Sequence, residues 1–181
     1  KITDGDELVK VSLSQGDSEI FIGTRQGMAV RFKETDVRAA GRFTQGVSGI
    51  SLQKDDYVIG AEVVRPNSTI LTTSELGYGK RSKIDDYRLI KRGGKGVINI
   101  KVTDRNGPVA GINEVMDDDE VLAITNKGQT IRFRVSDVSV IGRATQGVRL
   151  FRIADDDRVV AVARVEADDD DPEATKGEME P

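Results

Sequence analysis

Positive charge returns at fixed intervals along this chain. Arg31, Arg81 and Arg132 stand at steps of 50 and 51 residues, and Lys33, Lys83 and Arg134 follow in the same phase. Arg42, Arg92 and Arg143 keep that register inside a glycine-bearing phrase: GRFTQGV at 41–47, a degenerate KRGGKGV at 91–97, and GRATQGV at 142–148. Cations at regular spacing suit a ligand that is a regular array of anions, such as the phosphates of a nucleic acid, whose condensed counterions are released on binding. Backbone N–H groups left open by glycine can add to such a site. Nucleophilic and metal chemistry, by contrast, lack their parts. The chain has no Cys and no His, which removes thiol nucleophiles, histidine bases and Cys/His zinc sites. Asp117–Asp119 and Asp155–Asp157 lack the ligand order and glycine placement of a calcium loop and read as solvated turns. Gly93–Gly96 is no nucleotide loop, because no helical pattern follows it.

The formal charge of −4 hides this distribution. Eight acids and one base lie from Glu166 onward, so residues 1–165 hold 26 bases against 23 acids. Within that body, Gly27–Val47, Gly77–Val97 and Gly128–Val148 are each net basic and the stretches between them net acidic. The candidate phosphate contacts are Arg31, Lys33, Arg38 and Arg42 in one unit, Lys80, Arg81, Lys83, Arg88, Lys91, Arg92 and Lys95 in the next, and Arg132, Arg134 and Arg143 in the third. For Arg31, Arg81 and Arg132 a structural role competes, as ion pairs to the in-phase Asp36, Asp86 and Asp137. The acidic segment 166–181 has too little apolar surface to order itself, and could compete with phosphate for the basic surface.

The elements that must carry these residues are strands. Residues 19–24 and 120–125 are short apolar runs ending at turn signals before Gly27 and Gly128. In 28–33 and 129–134 the alternation puts Val30 and Phe32 on one face, Arg31 and Lys33 on the other. Further strands are expected at Ile50–Leu52 and Ile98–Val102, and closing ones at Tyr57–Val64, Pro108–Val115 and Arg158–Val165. Four strands in about 50 residues, with no helical stretch, predict an all-β array of propeller-like blades; a β-sandwich of short strands is the alternative. The expected units are 14–64, 65–115 and 116–165, with 1–13 as the end of a preceding blade and 166–181 as the tail. Closed propellers usually need about four to eight blades, so these units are expected to belong to a longer array, and the start at Lys1 without Met suggests a fragment. No apolar run reaches the length of a membrane helix, and the lack of Cys is compatible with a reducing cytoplasm.

Three phrases carry a family resemblance: GYGKR at 77–81, KGVINIKVTDRNG at 95–107 and VIGRATQGV at 140–148. They resemble the C-terminal domain of the bacterial DNA gyrase A protein, across all three units and into the acidic terminus. The resemblance implies a six-bladed β-pinwheel whose blades exchange strands and whose basic rim bends and wraps double-stranded DNA, supporting negative supercoiling without catalysis of its own. It further implies the rest of the gyrase A protein and the gyrase B protein as partners in an A2B2 assembly in the bacterial cytoplasm and nucleoid. ATP and Mg2+ would be used elsewhere in the holoenzyme, with no cofactor and no small-molecule substrate in this chain. The family's gyrase box, a Gln-Arg-Arg-Gly-Gly-Arg-Gly heptapeptide of the first blade, is not in this sequence; Lys91–Gly96 resembles it at a later blade's equivalent loop. The corresponding domain of topoisomerase IV and a propeller scaffold for protein partners are the alternatives.

Overall fold

The structure, a computed structural model, describes residues 2–165. Each unit begins with a hairpin: β1 (Glu19–Thr24) and β2 (Met28–Lys33), β4 (Thr69–Ser74) and β5 (Tyr78–Lys83), β8 (Glu120–Thr125) and β9 (Thr130–Arg134). Their turns close on Gly27, Gly77 and Gly128, whose φ angles of 80°, 75° and 85° explain why glycine recurs there. A single 3-10 turn follows each hairpin, at Glu34–Asp36, Ile84–Asp86 and Val135–Asp137. The chain later returns as β3 (Val58–Val64), β7 (Val109–Val115) or β11 (Val159–Val165), each antiparallel to the first strand of its own hairpin.

The fourth strand is exchanged. β6 (Val97–Ile98) belongs in sequence to the second unit but pairs with β2 of the first, and β10 (Val148–Arg149) of the third unit pairs with β5 of the second. The sheets are therefore β3-β1-β2-β6, β7-β4-β5-β10 and β11-β8-β9. This corrects two expectations. Residues 50–52 form no strand, and the strand expected over 98–102 ends at Ile98. Beyond Ile98 the chain leaves the ladder: the Asn99 and Ile100 amides donate to the Gly27 carbonyl, and the Lys101 amide donates to Thr145. Residues 2–17 are exposed and form no strand. The acidic segment 166–181 lies outside the described residues.

The core consists of layers between sheets. Phe21 and Ala29 of the first sheet meet Ile70, Tyr87, Ile100, Val109 and Ile112, with Phe21 and Tyr87 edge-to-face at 4.9 Å. Leu71 and Val115 meet Val121, Val135 and Val138 in the next layer. The strands β3, β7 and β11 pack on one another. Glycine permits that approach, since a Cβ on Gly111 would sit 2.6 Å from the Cβ of Val162 and one on Gly60 3.2 Å from the Ile112 carbonyl oxygen. β3 and β7 are thus the inner strands, and the exchanged strands β6 and β10 form the outer edge.

Candidate nucleic-acid interface

The fold sorts the basic residues into three groups. Lys80 and Arg81 are buried, which corrects their place among the candidate contacts. Lys80 stands at the position of Val30 and Ile131, on the face of β5 turned towards the first sheet, and its amine is enclosed by Ser82, Tyr87 and Asn99. Arg81 lies on the opposite face, where its Nε donates to the Val138 carbonyl at 2.9 Å and its guanidinium pairs with Asp117.

The second group fastens neighbouring units. Arg31 donates to the carbonyls of Ile84 and Tyr87 at 2.9 and 3.1 Å, the 3-10 turn of the next unit, and pairs with Glu19 and Asp85. Arg81 reaches the equivalent turn of the third unit. In the other direction, Arg92 donates to the carbonyls of Asp36 and Ser48 at 3.0 and 3.1 Å, while Arg143 donates to those of Asp86 and Ile98 at 3.0 and 2.9 Å. Asp36 and Asp86 therefore enter these junctions through main-chain oxygens. The carboxylate pairing expected for the in-phase arginines runs instead to Glu19, Asp117 and Glu120. For Arg31 and Arg132 the signal was present: across a hairpin, Arg31 lies diagonal to Glu19 and Arg132 diagonal to Glu120.

The junction role gives an expected result. Arg81→Met should destabilise the fold by about 2–3 kcal/mol, because it leaves the buried Val138 carbonyl without its donor and removes the pair to Asp117. Arg132→Met removes a pair with an exposed Arg and should change stability by less than about 1 kcal/mol. Urea midpoints compare the two variants, and equal losses would refute the junction role.

The third group is exposed: Lys33, Arg38, Arg42, Lys83, Arg88, Lys91, Lys95, Arg132 and Arg134. Lys33, Lys83 and Arg134 close the second strand of each hairpin just before the 3-10 turn. Arg38, Arg42, Arg88, Lys91 and Lys95 lie on the segments after those turns, and in the second unit that segment leads to the outermost strand. Arg92 and Arg143 lie on the same connections, half-buried, with two of their guanidinium nitrogens on backbone oxygens. The glycines of the repeated phrase have φ near 75° at Gly46, Gly96 and Gly147. A Cβ on Gly96 would collide with the Ala29 carbonyl oxygen, and one on Gly147 would sit 2.5 Å from that of Gly79. Gly96 and Gly147 thus let the chain cross onto the preceding sheet, where β6 and β10 begin.

The acidic turns have structural uses. The Asp119 carboxylate accepts from the Met116 amide at 2.8 Å and faces Arg65 and Arg164. That of Asp157 accepts from the Arg158 and Lys127 amides.

The family description "DNA gyrase C-terminal domain, beta-propeller" matches three successive segments, residues 18–65, 68–115 and 119–166. The chain belongs to this family. It is 47% identical over 165 residues to the DNA gyrase A protein of Escherichia coli (strain K12), covering 91% of this chain and 19% of that protein. Against the Staphylococcus aureus (strain MRSA252) protein of the same name, identity is 45% over 168 residues, or 92% and 19% of the two chains. The chain thus spans about a fifth of the length of these relatives. Among solved structures, a DNA gyrase A C-terminal domain superposes with a TM-score of 0.83 at 30% identity, covering 91% of this chain and 56% of that one. The C-terminal domain of a DNA topoisomerase IV superposes with a TM-score of 0.87 at 25% identity, covering 92% and 52%. Gyrase-type blades with an exchanged outer strand are the architecture that positions the exposed cations.

Proposed function

We propose that this gyrase-family domain binds duplex DNA along its outer edge and bends it, as a non-catalytic module of a DNA gyrase. The observation that carries this reading is the segregation of exposed bases. The candidate bases that stay exposed sit on the second strands of the hairpins, at or near their ends, and on the connections that follow, in the second unit on the way to the outer strand β6, while the inner strands pack on one another. Lys and Arg contacts to phosphate position a duplex without reading its sequence. Successive sheets offer such contacts along a curved path, and bending 20–30 base pairs costs on the order of 1–6 kcal/mol, which several patches together can offset. Strand cleavage and ATP hydrolysis then belong to the remainder of the gyrase A protein and to the gyrase B protein, in an A2B2 assembly on bacterial DNA. A topoisomerase IV module would share the outer edge, and the 47% identity to a gyrase A protein favours gyrase.

The test is duplex binding against salt. Six phosphate contacts would give a slope of log affinity on log salt of about −5. A relaxed circle incubated with the protein and then treated with a nicking-closing enzyme should retain supercoils of one sign. Weak, salt-independent binding with no trapped supercoils would remove the proposal.

A further inference from the structure

Three departures from the repeat converge on one point of the second sheet. Tyr78 replaces the Met28 and Gln129 of its register, Arg105 replaces Asp55 and Asp156, and Arg149 replaces Ser48 and Ile98. They are far apart in sequence, yet the guanidinium carbons of Arg105 and Arg149 lie 5.1 and 5.0 Å from the centre of the Tyr78 ring. Arg149 also donates to the Tyr78 hydroxyl at 2.6 Å. Arg149 is carried by β10, the outermost strand of its sheet, directly opposite Tyr78 in the ladder. Arg105 comes from the turn just before β7.

Both arginines are exposed, and neither forms an ion pair to a carboxylate among the described residues, although Asp104 adjoins Arg105 in sequence. Arg149 and then Arg105 hold the Tyr78 phenol below its ordinary pKa, as expected of a positive site. Two guanidiniums gathered on one ring repel each other until an anion joins them, and their planar forks suit phosphate oxygens. The aromatic ring fixes both by cation–π contact.

We propose that Arg105, Arg149 and Tyr78 form a phosphate-binding site for the second backbone of a duplex lying on this outer edge. β5 begins at Tyr78 and ends at Lys83, so the cluster and Lys83 stand at opposite ends of the strand, about 17 Å apart at ~3.3 Å per residue. That interval is long enough to bridge the ~12 Å major groove, so a duplex lying along the edge can offer one backbone to Lys83 and the other to the cluster. The inference rests on the DNA-binding reading above and adds a site outside the repeated register.

The test compares two charge reversals in the full chain. Arg105→Glu with Arg149→Glu should lower duplex affinity about tenfold at ~100 mM salt and reduce the salt slope by about two. Tyr78→Phe, which keeps the ring, should have a smaller effect. In the unaltered protein, a bound duplex should protect Arg105 and Arg149 from phenylglyoxal, and this arm does not depend on a variant folding. Unchanged affinity in the Arg105/Arg149 variant, or modification undiminished by DNA, overturns this site. If Lys91→Glu with Lys95→Glu still weakens binding, the outer-edge reading survives; if neither pair matters, that reading falls as well.

Discussion

Replacing Lys91 and Lys95 together by Glu should weaken duplex binding by about 10- to 100-fold near 100 mM salt and lower the salt slope by about two. Both side chains are exposed, and neither forms an ion pair among the described residues. The reversal therefore changes the field at the surface without removing a structural contact. Arg92, their neighbour, is a poorer choice because its guanidinium holds the Asp36 and Ser48 carbonyls of the preceding unit. Arg92→Glu would open that junction, and lost binding could not be separated from lost structure. For the Lys91/Lys95 variant the unfolding free energy from urea titration should change by no more than about 0.5 kcal/mol, leaving the midpoint nearly unmoved. An unaltered affinity with an unaltered midpoint would show that this loop does not touch DNA.

The contrast between Lys91 and Arg92 marks where the sequence was legible. The repeat, the hairpins and their glycine turns follow from local pattern, because alternation and positive φ are properties of a few adjacent residues. Strand exchange is not local. The strand expected over 98–102 survives only as Val97–Ile98, and nothing in the local alternation says whether it pairs with its own hairpin or with the one before it. The same blindness affected the arginines. Arg42, Arg92 and Arg143 share a phase because a junction repeats, and charge periodicity alone cannot distinguish a repeated junction from a repeated ligand contact. Lys80 was legible after all: it lies on the Val30 face by the alternation that places Arg81 and Lys83 together, and its charge drew it into the surface group. The Tyr78 cluster was hidden for another reason, since it breaks the register instead of following it.

Lys80 yields the largest effect on stability. The second unit replaces the Val30 and Ile131 of its neighbours with Lys80, Phe32 and Phe133 with Ser82, and Ile22 and Ala123 with Thr72. These polar residues form one buried network. The Tyr87 hydroxyl donates to Asn99 Oδ1 at 2.6 Å, the Asn99 amide donates to Thr72 at 2.9 Å, and the Lys80 amine faces Ser82, Tyr87 and Asn99. Among the described residues no carboxylate forms an ion pair with the amine. Burial therefore pushes its pKa down to about 7, with Asp86 drawing it up and Arg143 drawing it further down. In the unfolded chain the same group titrates near ~10.4. Between pH ~7 and ~10 the unfolded chain thus carries a proton that the folded chain lacks, and stability must rise with pH across that window. Below pH ~7 both states are protonated and the full penalty of the buried charge remains. Above pH ~10 Tyr87 opposes the trend, because burial raises its pKa and holds it neutral while the unfolded phenol ionises. Urea unfolding at pH ~6.5 and ~9.5 should differ by about 3 kcal/mol in favour of the higher pH. Lys80→Met fills the same space without a charge and leaves Tyr87, Asn99 and Thr72 bonded to one another, so it should be at least as stable as the parent at pH ~6.5 and lose most of the difference. A parent that is flat with pH, or a variant that keeps the slope, would place the titration elsewhere and leave Lys80 an ordinary filler of the first layer.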